Sequence, residues 1–219
     1  MNKQEVIAQI NRTGIIPAVR VDSPQEAEFA AETLYATELP IAELTLTLHE
    51  APAVIARLAA RHPKMIVGAG TVLDVETARR CIDAGAKFIT SPGFIPEVVA
   101  YASQAGVVVF PGALTPSEVI AAWKAGADFV KIFPAAIAGG ALYIRALKVP
   151  LPQIPLIVTG GVNQLTALDY ILAGASAIGV GRELLPKEAL RKRQEHRIHE
   201  LALRFRAIVK QARAQMATD

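Results

Sequence analysis

Eight short apolar segments recur along the chain, their starts about 20 to 27 residues apart, and no other feature constrains the fold as strongly. They are Gly14–Val21, Ile41–Thr47, Met65–Val72, Lys87–Gly93, Val107–Ala113, Phe129–Ala135, Leu156–Val162 and Ala177–Gly181. Helix-like stretches lie between them, among them Pro24–Tyr35, Ala51–Arg61, Val75–Ala84 and Pro116–Ala125. Ser23-Pro24-Gln25-Glu26 and Thr115-Pro116-Ser117-Glu118 each read as an N-cap, a proline at the first helical position and a capping-box glutamate. Asp74 reads as a plain N-cap, and Gly85, Gly106, Gly126 and Gly174 stand where helices end in a left-handed residue. Strands apolar on both faces that alternate with helices form a parallel sheet. Eight such units predict a closed (β/α)8 TIM barrel, an α/β fold, rather than an open doubly wound sheet. No GxGxxG turn follows the first segment, which weakens a dinucleotide-binding alternative. Residues 1–13 are expected to form an extra helix covering the barrel floor. Residues 186–219 are expected to form one long C-terminal helix, with Ile198, Leu201, Ala202, Phe205, Ile208 and Val209 at helical spacing. No domain boundary is visible, so residues 1–219 are expected to form a single domain.

Composition narrows the function classes. With 52% hydrophobic residues, the chain can bury enough apolar surface to offset its ordering entropy, which excludes a disordered protein. The basic excess, 23 minus 20, is +3 and too small to imply a nucleic-acid partner. Much of it is local: residues 186–219 hold nine Lys/Arg against four Asp/Glu, which leaves the remainder slightly acidic. The lone Cys81 excludes an intramolecular disulfide and fits a reducing cytosol. Met1 to Arg12 is polar and charged, without the apolar stretch of a signal peptide. No uncharged apolar run approaches the roughly 18 residues that a membrane span needs. The expectation is a soluble cytoplasmic protein with neither a nucleic-acid nor a membrane partner.

In a barrel of this kind chemistry gathers at the C-terminal ends of the strands. The second segment alternates so that Glu43, Thr45 and Thr47 share one face while Leu44 and Leu46 pack on helices. In the sixth, Val130 and Ile132 must face the helices, so Lys131 faces the barrel axis. A lysine in an apolar strand is costly to bury unless it is paired or neutralised. Burial disfavours an ammonium and frees the amine lone pair to attack a carbonyl, with a carboxylate nearby to shuttle protons. The bland alternative is a Lys131–Glu43 ion pair without chemistry; the strand-end position favours chemistry. The first segment ends in Arg20. Thr159-Gly160-Gly161-Val162 and Gly179-Val180-Gly181-Arg182 close the seventh and eighth segments, where this fold often binds phosphate on exposed backbone N–H groups. Arg182 could add a charge-assisted contact. His49, His62, His196 and His199 lack metal-ligand spacing, so neither metal nor cofactor is expected. Cys81, inside a helix, reads as packing, and Arg191-Lys192-Arg193 as a solvated helix face.

Together, Gly68-Ala69-Gly70-Thr71-Val72, Ser91-Pro92-Gly93, Phe110-Pro111-Gly112, Lys131-Ile132-Phe133-Pro134-Ala135 and Thr159-Gly160-Gly161 carry a resemblance. In this order and spacing, over about Thr13 to Leu185, the chain resembles the class I 2-keto-3-deoxy-6-phosphogluconate (KDPG) and 4-hydroxy-2-oxoglutarate (KHG) aldolase family. The resemblance implies that Lys131 forms a Schiff base with the 2-keto carbon and that Glu43 is the general acid/base. It implies Thr71 as a contact of the pyruvate carboxylate, and Pro92, Phe133 and Thr159 as pocket-lining residues. The implied partners are a small keto-acid substrate and, as family members are commonly homotrimers, two further copies of the chain. Two departures stand out. Many members carry an arginine where this chain has Thr47, and Arg20 is the expected substitute for that cation. Gly-Val-Gly-Arg at 179–182 replaces the Gly-Gly-Ser of some members, closer to galactonate-series aldolases. The lead reading is a Schiff-base aldolase. The alternatives are a phosphogalactonate aldolase, a phosphate-binding barrel isomerase or synthase that uses Lys131 as an acid, and a catalytically silent oligomeric scaffold.

Overall fold

The computed structural model describes residues 1–217. Strands and helices alternate as α1 (Lys3–Thr13), β1 (Ile15–Val19), α2 (Pro24–Ala36), β2 (Ile41–Thr45), α3 (Ala51–Arg61), β3 (Ile66–Gly70), α4 (Val75–Asp83), β4 (Phe88–Thr90) and α5 (Pro96–Gln104). They continue as β5 (Val108–Phe110), β6 (Gly112–Ala113), α6 (Pro116–Lys124), β7 (Val130–Ile132), α7 (Gly140–Lys148), β8 (Leu156–Thr159), α8 (Ala167–Leu172), β9 (Ala177–Val180), α9 (Lys187–Arg191) and α10 (Glu195–Met216). All pairings are parallel, in the order β5-β4-β3-β2-β1-β9-β8-β7-β6. The two outer members, β5 and β6, are one stretch of chain interrupted at Pro111, so the row curls round into a barrel. The expected fifth strand is therefore two pieces. Pro111 has no N–H for the ladder, while its carbonyl still accepts from the Lys131 N–H at 2.9 Å.

Helix ends follow local chemistry. Thr115 and Glu118 close a full capping box, and Asp74 caps α4 through the Thr77 N–H. At Ser23 only half of the expected box forms: the hydroxyl accepts from the Glu26 N–H without a return bond. Gly85, Gly106, Gly126 and Gly174 all have positive φ just past helix ends.

Inside the barrel, Ile16, Ile41, Ile66, Phe88, Val108, Phe110, Phe129, Ile157 and Ala177 pack into one cluster, and Val6 and Ile10 of α1 complete it from below. The expected N-terminal helix thus plugs the floor, and Lys3 pairs with Asp128 at 3.0 Å to hold it there. Two residues farther along these inward rows, the apolar layer gives way to Ala18, Glu43, Thr90, Lys131, Thr159 and Gly179. The barrel is apolar at its floor and polar at its mouth.

The expected long C-terminal helix is broken. α9 ends at Arg191, and Arg193 adopts φ 49° before α10 begins. The Gln194 N–H returns to the Ala189 carbonyl at 2.8 Å, which closes α9, and the Arg193 guanidinium stacks 5.5 Å from the centroid of Phe29. The expected stripe holds within α10: Ile198, Ala202, Phe205 and Val209 are buried against the barrel's helices, with Leu201 and Ile208 flanking them. Thr218 and Asp219, part of the expected helix, lie outside the described residues. Among the described residues, no helix is long and apolar enough to cross a membrane.

Candidate active site

Glu43 and Lys131 reach the barrel mouth from β2 and β7, on opposite arcs of the strand order. Their residues are 4% and 8% exposed, so both charges are taken largely out of water. Among the described residues, no ion pair joins them. Lys131 Nζ lies instead 5.6 Å from the centroid of the Phe133 ring. A buried amine and a buried carboxylate that share one cavity without neutralising each other can act as a nucleophile and a proton carrier.

That cavity, of about 520 Å³, opens at the C-terminal ends of the strands. It brings together Arg20, Glu43, Lys131, Phe133 and Thr159 with Gly160, Gly161, Gly179, Gly181 and Arg182, all expected site residues. Arg20 and Arg182 are exposed at its rim, where they give the entrance positive charge. Thr159 Oγ1 is buried at its wall with no protein partner, a donor and acceptor left for a ligand or water. Past Thr159, Gly160 and Gly161 have φ of +88° and +83°. A Cβ on Gly161 would stand 2.4 Å from Ala136 Cβ, so only glycine lets this loop lie against the one after β7. After β9 the chain makes a single helical turn, the Leu184 and Leu185 N–H groups returning to the Gly181 carbonyl at 3.0 and 2.9 Å. Such a turn leaves its first N–H groups, those of Arg182 and Glu183, without partners inside the turn.

Three expected site residues are not among those lining this cavity. Thr47 is exposed beyond the end of β2, where its hydroxyl sits 2.9 Å from that of Thr45. Thr71 borders a separate depression of about 210 Å³ with Leu46, His49 and Asp74. Its φ of 64° is a strained conformation for a β-branched residue. Pro92 is half-buried, and a Cβ on Gly112 would stand 2.1 Å from its carbonyl oxygen. The Ser91-Pro92-Gly93 and Phe110-Pro111-Gly112 motifs thus pack directly on each other. Three lining residues escaped the sequence reading: Ala18, Val162 and Glu183. Ala18 continues the inward row of Ile16 toward Arg20, a period-two signal that was there to read. Cys81 lies buried in α4, and burial pushes its thiol up to about 11, which suits packing rather than nucleophilic attack.

Residues 6–201 match the family model described as KDPG and KHG aldolase. The chain belongs to the KDPG and KHG aldolase family. As an aldolase it is a carbon–carbon lyase with a keto-acid substrate. The 2-dehydro-3-deoxy-phosphogluconate aldolase of Pseudomonas aeruginosa is 32% identical to it, covering 84% of this chain and 91% of that protein. A probable 2-dehydro-3-deoxy-6-phosphogalactonate aldolase of Rhizobium meliloti is 33% identical over 78% of this aldolase and 81% of its own length. Among solved structures, the KDPG aldolase of Legionella pneumophila, crystallised with pyruvate captured at low pH as a covalent carbinolamine, superposes with a TM-score of 0.84. That protein is 29% identical, with 90% of this chain and 95% of the other covered.

Proposed function

We propose that this aldolase cleaves 2-keto-3-deoxy-6-phosphogluconate to pyruvate and glyceraldehyde 3-phosphate through a Schiff base on Lys131, and 4-hydroxy-2-oxoglutarate to pyruvate and glyoxylate. The observation that carries this reading is the unpaired Lys131 amine sharing one buried cavity with the Glu43 carboxylate. The amine adds to the C2 ketone, and the carbinolamine loses water to become an iminium. Glu43 takes the proton of the C4 hydroxyl, the C3–C4 bond breaks, and its electron pair flows into the iminium to give an enamine. Protonation at C3 and hydrolysis then release pyruvate and return the free amine. Arg20 holds the substrate carboxylate in place of the arginine that Thr47 replaces, with Thr47 and Thr71 as further contacts from the loops past the ends of β2 and β3. Pro92, Phe133 and Thr159 shape the pocket. Gly160, Gly161, Gly179, Gly181 and Arg182 take the phosphate, a reading supported by the two glycine loops that converge on the cavity.

A second reading exchanges the gluconate for the galactonate epimer. It is favoured by Arg20, by Gly-Val-Gly-Arg at 179–182 and by the similarity to the Rhizobium meliloti protein. Pyruvate release from the two phosphorylated epimers and from 4-hydroxy-2-oxoglutarate, compared by kcat/KM, separates the readings. The epimer with the larger value is the substrate, and no release from any of the three overturns both. We also place the enzyme in the cytoplasm, as a single-domain homotrimer. Ile137, Leu142 and Leu165, exposed by 84%, 75% and 89% around the loops after β7 and β8, supply the kind of apolar rim that a subunit contact covers. Sedimentation at micromolar concentration tests the trimer.

A further inference from the structure

At the opposite end of the barrel from the active site, a groove of about 600 Å³ runs between the end of α1, the turn before β2 and the second half of α10. Thr13 and Leu39, which precede β1 and β2, place it at the N-terminal ends of the strands. Four cations line it, Arg12, Arg206, Lys210 and Arg213, against one carboxylate, Glu38. That carboxylate is already engaged: Arg206 donates to it at 2.6 Å and to the Thr37 carbonyl at 2.8 Å.

The other three cations have no carboxylate partner among the described residues. Arg213 donates to the Arg12 carbonyl at 2.5 Å, to the Asn11 carbonyl, and to the Ser176 carbonyl at 3.5 Å. It thus caps the C-terminal end of α1 with no carboxylate to neutralise it, and burial lowers its pKa. The close approach is built in, since a Cβ on Gly14 would stand 2.4 Å from Arg213 Nη2. Among the described residues, the Arg12 guanidinium donates to the Gln9 side chain and to no carboxylate, and exposed Lys210 has no ion pair. Elsewhere on the C-terminal helices the pattern is different: Lys192 and Arg197 pair with Glu188, and Arg204 pairs with Glu200. Arg191 and Arg193 also lack a carboxylate partner among the described residues and lie elsewhere, Arg193 on Phe29, while Arg12, Lys210 and Arg213 share one concavity. Every α10 residue that lines the groove, from Leu203 to Arg213, lies beyond residue 201, where the family match ends.

We propose that this groove is a second anion site, remote from catalysis, which takes a small phosphoryl-bearing molecule between Arg12 and Lys210 and above the Arg213 guanidinium. Its volume lies in the range of small-molecule sites; the Arg12 guanidinium, with one bond to Gln9, has N–H groups left for phosphoryl oxygens, and Lys210 and the Arg213 charge add attraction. A ligand there bridges α1, the floor plug, to α10.

Acetylation footprinting of the full chain, read by peptide mass at low ionic strength, tests the site without recourse to activity. Sodium pyrophosphate is the probe, and exposed Lys192 is the internal control. Pyrophosphate is expected to slow acetylation of Lys210 by about tenfold once it exceeds its Kd by that factor, and to leave Lys192 unchanged. Arg12→Glu, or the milder Arg12→Gln, abolishes that protection; the bond to Arg213 uses the residue 12 carbonyl and survives either change. Equal acetylation of Lys210 with and without pyrophosphate overturns the proposal. So does protection that persists in both Arg12 variants, or protection by a short RNA and not by pyrophosphate.

Discussion

The carboxylate of Glu43 on β2 lies directly over Gly70 on β3: a Cβ on Gly70 would stand 2.0 Å from Glu43 Oε1. The absence of a side chain at 70 is what admits a glutamate to the barrel mouth at all. Gly70→Ala must push the carboxylate aside while leaving Lys131 in place. The expected outcome is a fall in kcat of about 100-fold, the scale of a 1 Å misplacement of a reacting group. Glu43→Gln should cost about 10²–10⁴-fold, the usual contribution of a general acid/base. Both variants should still bind pyruvate. Steady-state rates with unchanged kcat in Gly70→Ala would remove Glu43 from the chemistry.

Arg20 is the cation at the cavity rim nearest in sequence to the position that the family's arginine would fill from β2. Loss of a charged hydrogen bond costs about 1.5–3 kcal/mol, so Arg20→Ala should raise the KM of the keto acid by at least about tenfold. kcat should change less, because the arginine holds the carboxylate equally in ground and transition states. Initial-rate kinetics decide this, and an unchanged KM would return the role to another residue.

Glu118 gives the fold a pH-sensitive helix start. The Thr115 and Leu114 N–H groups, both at 2.7 Å from its Oε2, hold its carboxyl below the ordinary value of 4.5. A depressed folded-state value contributes stability above 4.5, and that stability is lost as pH falls through the folded value. The group is exposed, so solvent screening keeps the effect within about 1 kcal/mol. Urea midpoints of Glu118→Gln should lie below wild type at pH 7 and close on it progressively as pH falls below 4.5. A gap that stays the same as the pH falls would contradict the capping role.

How far the sequence could be read depended on periodicity. Lys131 and Glu43 were legible because each sits between apolar residues in a strand, where alternation alone decides which side chains face the axis. Gly160, Gly161, Gly179 and Gly181 were legible because their place after the last two strands carries meaning in this fold. Thr47 and Thr71 lie past the ends of β2 and β3, where alternation no longer sets direction, and neither is among the residues that line the main cavity. The break at Pro111 follows from its missing N–H, yet a proline inside an apolar run does not announce that the strand resumes two residues later. The break after α9 was hidden because Arg193, not glycine, adopts the left-handed conformation, with its guanidinium on Phe29. Only the folded neighbour across the sequence explains that residue.

The most direct test of the chemistry is borohydride reduction of the folded protein in excess pyruvate, followed by peptide mass mapping. The expected result is one reduced pyruvate adduct, on Lys131 alone, absent from Lys131→Met. An unmodified Lys131, or an adduct on a different lysine, would contradict a Schiff base at the barrel mouth.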